Sequence, residues 1–542
     1  MGANPGSSPD GRPLAAMPVR GPALDFRSAA RAGMAIAFHA RRMPEAPALR
    51  SAAGDRSFGE LNGRANRLAR ALRRRGLEAG DGIALVCSNR PEFAETAAAA
   101  LRSGLRLTTI NWHLTAGEIA YIVDDCDARA LVGDARFADT VAEAAAACRH
   151  LETRLALAGA IEGFESFEAA LAEERDEDLA APVLGTTMLY TSGTTGRPKG
   201  VHRPRLRVGP AGRRIAELIG YRPGSDLHLC TGPLYHAAPL AFSLTGPLTA
   251  GAGVVLMDGF DAGEALEQIE HHGISHTHMV PTMFHRLLAL PESRRRGRDL
   301  SSLRMILHGA APCPVAVKRS LLEWLGPIVY EYYAATEGFG AFVTPEVWLE
   351  HPGTVGRPEP DAVRVVGEDG EPLAAGEIGR LYLQAPRDDR FSYYKDDAKT
   401  KRAYDRSGGY FTLGDLGYLD AEGYLYLADR SADVIISGGV NVYPAEVDAV
   451  LLSHPAVADA ATIGVPDEEW GESVRSVVQL RAGHCAGSAL ADELVAWCRA
   501  RLAHFKCPRA VDFSDALPRH DTGKIYRRLV RERYWRDHDR RI

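Results

Sequence analysis

The chain has 542 residues, 46% hydrophobic and 25% charged, with a formal net charge of -6. At roughly 150 residues per domain this predicts one large domain with a smaller companion rather than a single core. Ordinary globular composition excludes wholesale disorder, collagen and a coiled coil, no apolar run is long enough to span a bilayer, and the acidic balance argues against a dedicated nucleic-acid binder.

Residues 1–25 are rich in Gly, Pro and Ser and lack the apolar centre of a signal peptide, so they read as a disordered leader. Order is expected from near Phe26. Residues 60–75 carry Leu61, Ala65, Leu68, Ala69 and Leu72 at helical spacing. GIALVCS (82–88) reads as a buried strand, the alanine-rich 91–101 as a helix and ALVGD (130–134) as a further strand. The alternation continues through LHLCTGP, GVVLMDG, SHTHMVP, RMILHGA and PIVYEYY, with helices over 262–271 and 314–324. Strand–helix–strand order predicts an α/β fold with much parallel sheet.

After about Tyr330 the texture changes to short strands joined by Gly and Asp turns. The pairs Asp369-Gly370 and Glu422-Gly423 mark two hairpins. From about 429–431 a smaller α+β piece follows, with helices near 444–454 and 491–503. The expected organisation is a leader (1–25), a large domain of αβ-layered sheets with a small β-subdomain (26–429), and a small mobile α+β domain (430–542). The eight cysteines are scattered, with no CxxC pair, which suits reduced thiols in a cytoplasmic protein. The basic clusters at Arg73–Arg75, at Arg294–Arg298 and in RRLVRERYWRDHDRRI (527–542) read as solvated helix faces and ends.

The most informative stretch is TMLYTSGTTGRPKGV, residues 187–201. A strand enters a run of glycines and hydroxyls that ends in Lys199. Glycine lets backbone N–H groups approach an anion, the hydroxyls of Thr191, Ser192, Thr194 and Thr195 add donors, and Lys199 adds charge. The run suits a polyphosphate, yet it is not a Walker A loop, because Arg197 and Pro198 separate Gly196 from Lys199.

This string resembles the phosphate loop of the adenylate-forming superfamily: acyl-CoA synthetases, peptide-synthetase adenylation domains and luciferases. The likeness runs from about Ala35 to Val530 and is greatest to acyl-CoA synthetases of the fatty-acid–CoA ligase type. YEYYAATEG (330–338) is similar to the superfamily's Y-G-x-T-E motif. The resemblance implies that Thr336 binds phosphate and that Glu337 holds Mg²⁺. FTLGD (411–415) is similar to its T-G-D string, which makes Asp415 the ribose acceptor and Arg430 the second ribose contact. Gly309, Ala310 and Ala311, with Glu331, Tyr332 and Tyr333, would frame the adenine. In LPRHDTGKIYRR, Lys524 matches the catalytic lysine, whose ammonium stabilises charge developing on the α-phosphate. Gly193 completes the phosphate loop. Gly438 and Gly439 resemble the lining of the thiol tunnel, and His236 in PLYHAAP matches a position that borders the acyl and adenylate sites in the superfamily.

The resemblance implies an acid–thiol ligase. ATP and a carboxylic acid give acyl-adenylate and pyrophosphate, and CoA then takes the acyl group. The expected partners are the acid, ATP, Mg²⁺ and CoA, with no nucleic acid, no integral membrane association, and a homodimer as the oligomer to consider. LYHAAPLAFS lacks the aspartate that pairs with a free amino acid, and Ala334 is not the Trp of acetate-specific members. Both point to a hydrophobic acid, fatty or bulky and polycyclic, with Met283, Phe284, Phe339, Phe342 and Trp348 as candidate tunnel walls. Three departures stand out: Ala334 replaces a Gly, Val440 replaces the Glu of GGEN, and Ala432 occupies the hinge. The last two bear more on thiol transfer than on adenylation, so an adenylating half-enzyme serving a carrier protein or partner ligase is the alternative. A nucleotide-binding protein without catalysis is a third reading, opposed by retention of Lys199, Glu337, Asp415, Arg430 and Lys524. HHGISHTHMVP places His276 and His278 on one strand face, but no acid or Cys completes a metal set, so these read as core histidines.

Overall fold

The computed structural model describes residues 25–191, 198–203, 210–386, 390–430, 433–437, 440–467, 470–519 and 525–536. The expected leader lies almost wholly outside them; the first described helix is Phe26–Arg31. Two parallel-rich sheets build the large body. The first has six strands, all paired in parallel, with Gly82–Val86 between Arg106–Ile110 and Ala128–Asp134. The second has eight, with Leu227–Cys230, His276–Met279, Met305–His308 and Val329–Ala335 running in parallel. Its strand Gly338–Val343 pairs antiparallel with Val329–Ala335.

Strands such as Leu227–Cys230, Gly253–Leu256 and Met305–His308 are buried at every position. Helices cover both faces, which is why the sequence shows unbroken apolar runs there and no alternation. The helices Phe58–Arg74 and Pro91–Arg102 lie between the two sheets, because one core cluster joins Leu61, Leu68 and Phe93 to Leu85 and Val132 of one sheet and to Val254 and Leu256 of the other. A second cluster covers the far face of the eight-stranded sheet with Leu266, Phe284 and Leu321. A third covers the far face of the six-stranded sheet. The result is a layered αβαβα body.

Local chemistry fixes the helix starts. Ser57 and Glu60 form a reciprocal capping box for Phe58–Arg74, and Thr115 and Glu118 do the same for Ala116–Asp125. Pro91–Arg102 is buried almost all round, which explains its alanines, and its last residue Arg102 is fully buried against Asn62 and Asn66. A five-stranded antiparallel sheet follows, and Glu422-Gly423 turns its hairpin with Gly423 at φ 84°. Arg430 ends a strand of that sheet, whereas Ile435–Ser437 belongs to a separate C-terminal sheet. That sheet packs against helices Pro444–Leu452 and Ser488–Arg499. All eight cysteines are free thiols. Among the described residues no helix is long and apolar enough to cross a membrane.

Candidate active site

A cavity of about 2620 Å³ opens between the eight-stranded sheet, the five-stranded sheet and a short three-stranded sheet, and Thr191, Lys199, His236, Ala310, Thr336 and Glu337 all line it. The three-stranded sheet carries the two flanks of the stretch read from the sequence as a phosphate loop. Its strand Lys199–His202 pairs with Leu189–Thr191 on one side and Ser392–Tyr393 on the other, so that Lys199 stands opposite Thr191 and Val201 opposite Tyr393. The two flanks of the loop thus meet on one wall although residues 192–198 intervene in the sequence. Burial draws the Lys199 ammonium below its usual pKa, while Asp396 and Glu337 nearby pull the other way.

Thr336 and Glu337 form a two-residue turn between Val329–Ala335 and Gly338–Val343, closed by the Ala335–Gly338 pair. The turn is held from below. An added Cβ at Gly338 would sit 2.5 Å from the Phe411 ring, and one at Gly340 would sit 2.5 Å from the Tyr333 ring. Glu337 is buried, with only 7% of its surface exposed. Its Oε1 accepts the Tyr393 hydroxyl at 3.0 Å, and its backbone carbonyl accepts Nη2 of Arg203. Burial, with Glu337 beside it, pushes the Tyr393 phenol well above its ordinary value, so Tyr393 remains a donor. A buried carboxylate next to hydroxyls and a lysine suits a hard divalent ion shared with phosphate oxygens. Among the described residues no cluster of three or more His, Cys, Asp or Glu could hold a metal by itself.

The backbones of Asp415 and Arg430 are in register across two antiparallel strands. The Tyr333 hydroxyl donates to Oδ2 of Asp415 at 2.6 Å, which ties the turn strand to the five-stranded sheet. Ala310 takes the left-handed conformation (φ 66°) and lines the cavity. Gly309 beside it is required by close packing, since a Cβ there would meet the Tyr332 ring at 2.7 Å.

Several expectations need adjustment. Glu331 points away from the cavity, into the opposite layer, where its carboxylate accepts Lys318 Nζ at 2.7 Å. Strand alternation forces this, because Tyr332 faces the cavity. The Tyr332 hydroxyl is bonded to His278 at 2.9 Å. Phe284 and Trp348 are core residues, Phe284 against His308 and Trp348 beneath Lys318, whereas Met283, Phe339 and Phe342 do line the cavity. His276 is a core histidine bonded to the Ile219 carbonyl, but His278 is part of the cavity wall. Ser192, Gly193, Thr194, Thr195, Ala432, Gly438, Gly439 and Lys524 lie outside the described residues. Tyr526 lines the cavity. Tyr393 and the helix residues Phe26, Ile36 and Phe38 were not anticipated. Nothing in FSYYKDD marks a site, and an amphipathic N-terminal helix looks like any other.

Comparison with known proteins agrees with this geometry. A family model described as "AMP-binding enzyme" matches residues 36–387, and one for the "AMP-binding enzyme C-terminal domain" matches residues 446–524. A feruloyl-CoA synthase from Amycolatopsis sp is 34% identical over 500 residues, covering 91% of this chain and 97% of that protein. A fatty acid–[acyl-carrier-protein] ligase, ScoC, from Streptomyces coeruleorubidus is 33% identical over 519 residues, covering 93% and 96%. The crystal structure of the anthranilate CoA ligase AuaEII with anthranoyl-AMP superposes with a TM-score of 0.82 at 25% identity, covering 93% of this chain and 97% of that one. ATP-dependent activation of a carboxylic acid, with transfer to CoA, is the common chemistry of the acid–CoA ligases it matches. The chain belongs to the AMP-binding enzyme family, the adenylate-forming superfamily, on its acid–CoA ligase side.

Proposed function

We propose that the protein activates a hydrophobic carboxylic acid, fatty or bulky and polycyclic, as its acyl-adenylate and passes the acyl group to CoA. The observation that carries this reading is the continuity of the cavity. Its polar end holds Lys199, Thr336 and Glu337, and the same space runs on between Phe26, Ile36, Met283, Phe339 and Phe342. A charged nucleotide end and an apolar acid end in one cavity is the arrangement an acid-activating enzyme needs.

The chemistry follows from the side chains. A carboxylate oxygen of the acid attacks the α-phosphorus, the bond to pyrophosphate breaks, and the acyl-adenylate forms. Lys199 and the hydroxyls of Thr191 and Thr336 bind phosphate oxygens. Glu337, oriented by Tyr393, is the residue that would hold Mg²⁺, which supplies charge neutralisation at the phosphates when bound. Asp415, with Arg430 opposite, accepts the ribose hydroxyls. His236 stands at the cavity wall where the carboxylate must sit and orients it. Lys524 stabilises charge as the α-phosphate becomes crowded. The domain boundary lies near residue 430, and movement about it would exchange Lys524 for the Gly438–Gly439 segment during thiol attack on the carbonyl. Eight free thiols suit a cytoplasmic protein. Transfer to a carrier protein is the second reading, favoured by the 33% identity to a carrier-protein ligase.

The test is pyrophosphate release with ATP, Mg²⁺ and a panel of short, long, aryl and polycyclic acids, with and without CoA. Acid-dependent release that CoA accelerates, with thioester formed, is expected. Accumulated acyl-adenylate indifferent to CoA favours the carrier-protein reading. Normal release by Lys524→Ala would overturn the role given to that lysine.

A further inference from the structure

The cavity wall contains a polar pair, Tyr332 and His278, in which the tyrosine that the sequence suggested for the adenine gives its hydroxyl to a histidine instead. Tyr332 and His278 stand on neighbouring regions of the same sheet face, 5% and 2% exposed, and the tyrosine hydroxyl lies 2.9 Å from Nε2 of the histidine. Both rings line the cavity. Phe242 stacks on the imidazole, with centroids 5.7 Å apart and planes 16° apart, and packs against the tyrosine at 4.9 Å. Phe242 comes from a π-helical turn, Pro239–Thr245. The strand itself is locked by the Thr231 hydroxyl, which donates to the His278 carbonyl at 2.6 Å. Val280, Met283, Leu244 and Phe342 line the same cavity.

The pair is not a closed unit. Nδ1 of His278 has no hydrogen-bond partner among the described residues. If the phenol donates to Nε2, Nδ1 carries a proton and is a donor; if Nε2 donates to the phenol, Nδ1 is an acceptor. Burial lowers the imidazole to a pKa of about 4, so the ring is neutral at physiological pH. It therefore offers no compensation to a second carboxylate. A purely aliphatic chain laid against it would leave a buried polar nitrogen unpaired, which is unfavourable. A few placed polar groups in an apolar pocket fix what binds and how it is turned.

We propose that His278, positioned by Tyr332, is a specificity determinant of the acid pocket. It selects an acid whose apolar body carries a neutral hydrogen-bonding substituent, such as a hydroxyl, remote from the carboxylate. This rests on the acid-activation reading above. Neither residue touches the reacting atoms; both act on which acid is held.

The experiment is acid-dependent ATP–pyrophosphate exchange with matched pairs of acids, each with and without a remote hydroxyl, for wild type, His278→Leu and His278→Gln. Thermal unfolding and ATP binding establish that each variant is folded. Wild type should favour one hydroxylated acid over its deoxy partner by about tenfold in kcat/KM, carried mainly by KM. His278→Leu should bring that ratio close to one, and His278→Gln, which keeps a hydrogen-bonding end, should restore part of it. A wild-type ratio near one for every pair, or an undiminished ratio in His278→Leu, overturns the inference while leaving acid activation intact. If His278→Leu does not fold, the ratio in wild type and in His278→Gln decides. No exchange with any acid overturns the activity and this inference with it.

Discussion

The hydroxyl of Tyr393 donates to Oε1 of Glu337 across 3.0 Å, joining residues that are 56 positions apart in the chain. Tyr393 lies in the strand that pairs with Lys199–His202, and Glu337 lies in the hairpin turn of the eight-stranded sheet. One hydrogen bond therefore sets the two walls of the polar end of the cavity against each other.

Tyr393→Phe removes that bond and keeps the ring. A hydrogen bond to a charged group is worth about 1.5–3 kcal/mol, so loss of at least roughly tenfold in kcat/KM for ATP is expected. The Mg²⁺ concentration for half-maximal exchange should rise. A Mg²⁺ titration of both proteins reads it, and identical curves would show that Glu337 is oriented without Tyr393.

Lys199→Ala should raise KM for ATP by about tenfold or more, since it removes a cation from a partly desolvated phosphate site. Burial lowers the pKa of Lys199 from 10.5. Its charge is therefore lost earlier on the alkaline side than that of a free lysine, and KM for ATP should begin to rise below pH 10.5 in wild type. In Lys199→Ala that alkaline rise should be absent.

Lys318 and Glu331 form a fully interior ion pair at 2.7 Å, with Trp348 under the ammonium at 4.8 Å. Removing one charge strands the other. Lys318→Ala should cost about 3–5 kcal/mol in urea unfolding, whereas Lys318→Met combined with Glu331→Leu should cost much less. An additive double variant would mean that the two charges are not coupled.

Asp448 is buried in the helix Pro444–Leu452, accepts the Thr462 amide at 2.7 Å and accepts Nη2 of Arg527. Burial dominates these contacts and raises its pKa from 3.8 to about 6. The folded state then holds this proton more tightly than the unfolded chain. Its contribution to stability is present below about pH 4 and is lost as pH rises to about 6, a change on the order of 3 kcal/mol. Asp448→Asn should lack that slope. Chemical unfolding of both proteins at pH 4.5 and 7 measures the difference between them.

The Phe58–Arg74 helix, the alanine-rich Pro91–Arg102 and the buried strands of the large sheet were legible because helix period, capping pairs and unbroken apolar runs are local properties. Thr336, Glu337, Asp415 and Arg430 were picked out for another reason, as members of short contiguous strings; the structure puts the first two in one turn and the backbones of the last two opposite each other on adjacent strands. Side-chain direction was not legible. Glu331 and Tyr332 are neighbours, yet one enters the core and the other the cavity, because strand position and sheet layering decide between them.

By itself, then, the sequence determined the α/β class, the order of the elements and the family, since those rest on short-range patterns. Only the tertiary structure decided that Tyr393 bonds Glu337, that Phe284 and Trp348 are core while Phe342 is wall, and that His278 lines the cavity. These are contacts between segments tens to hundreds of residues apart, and burial and sheet register alone fix them.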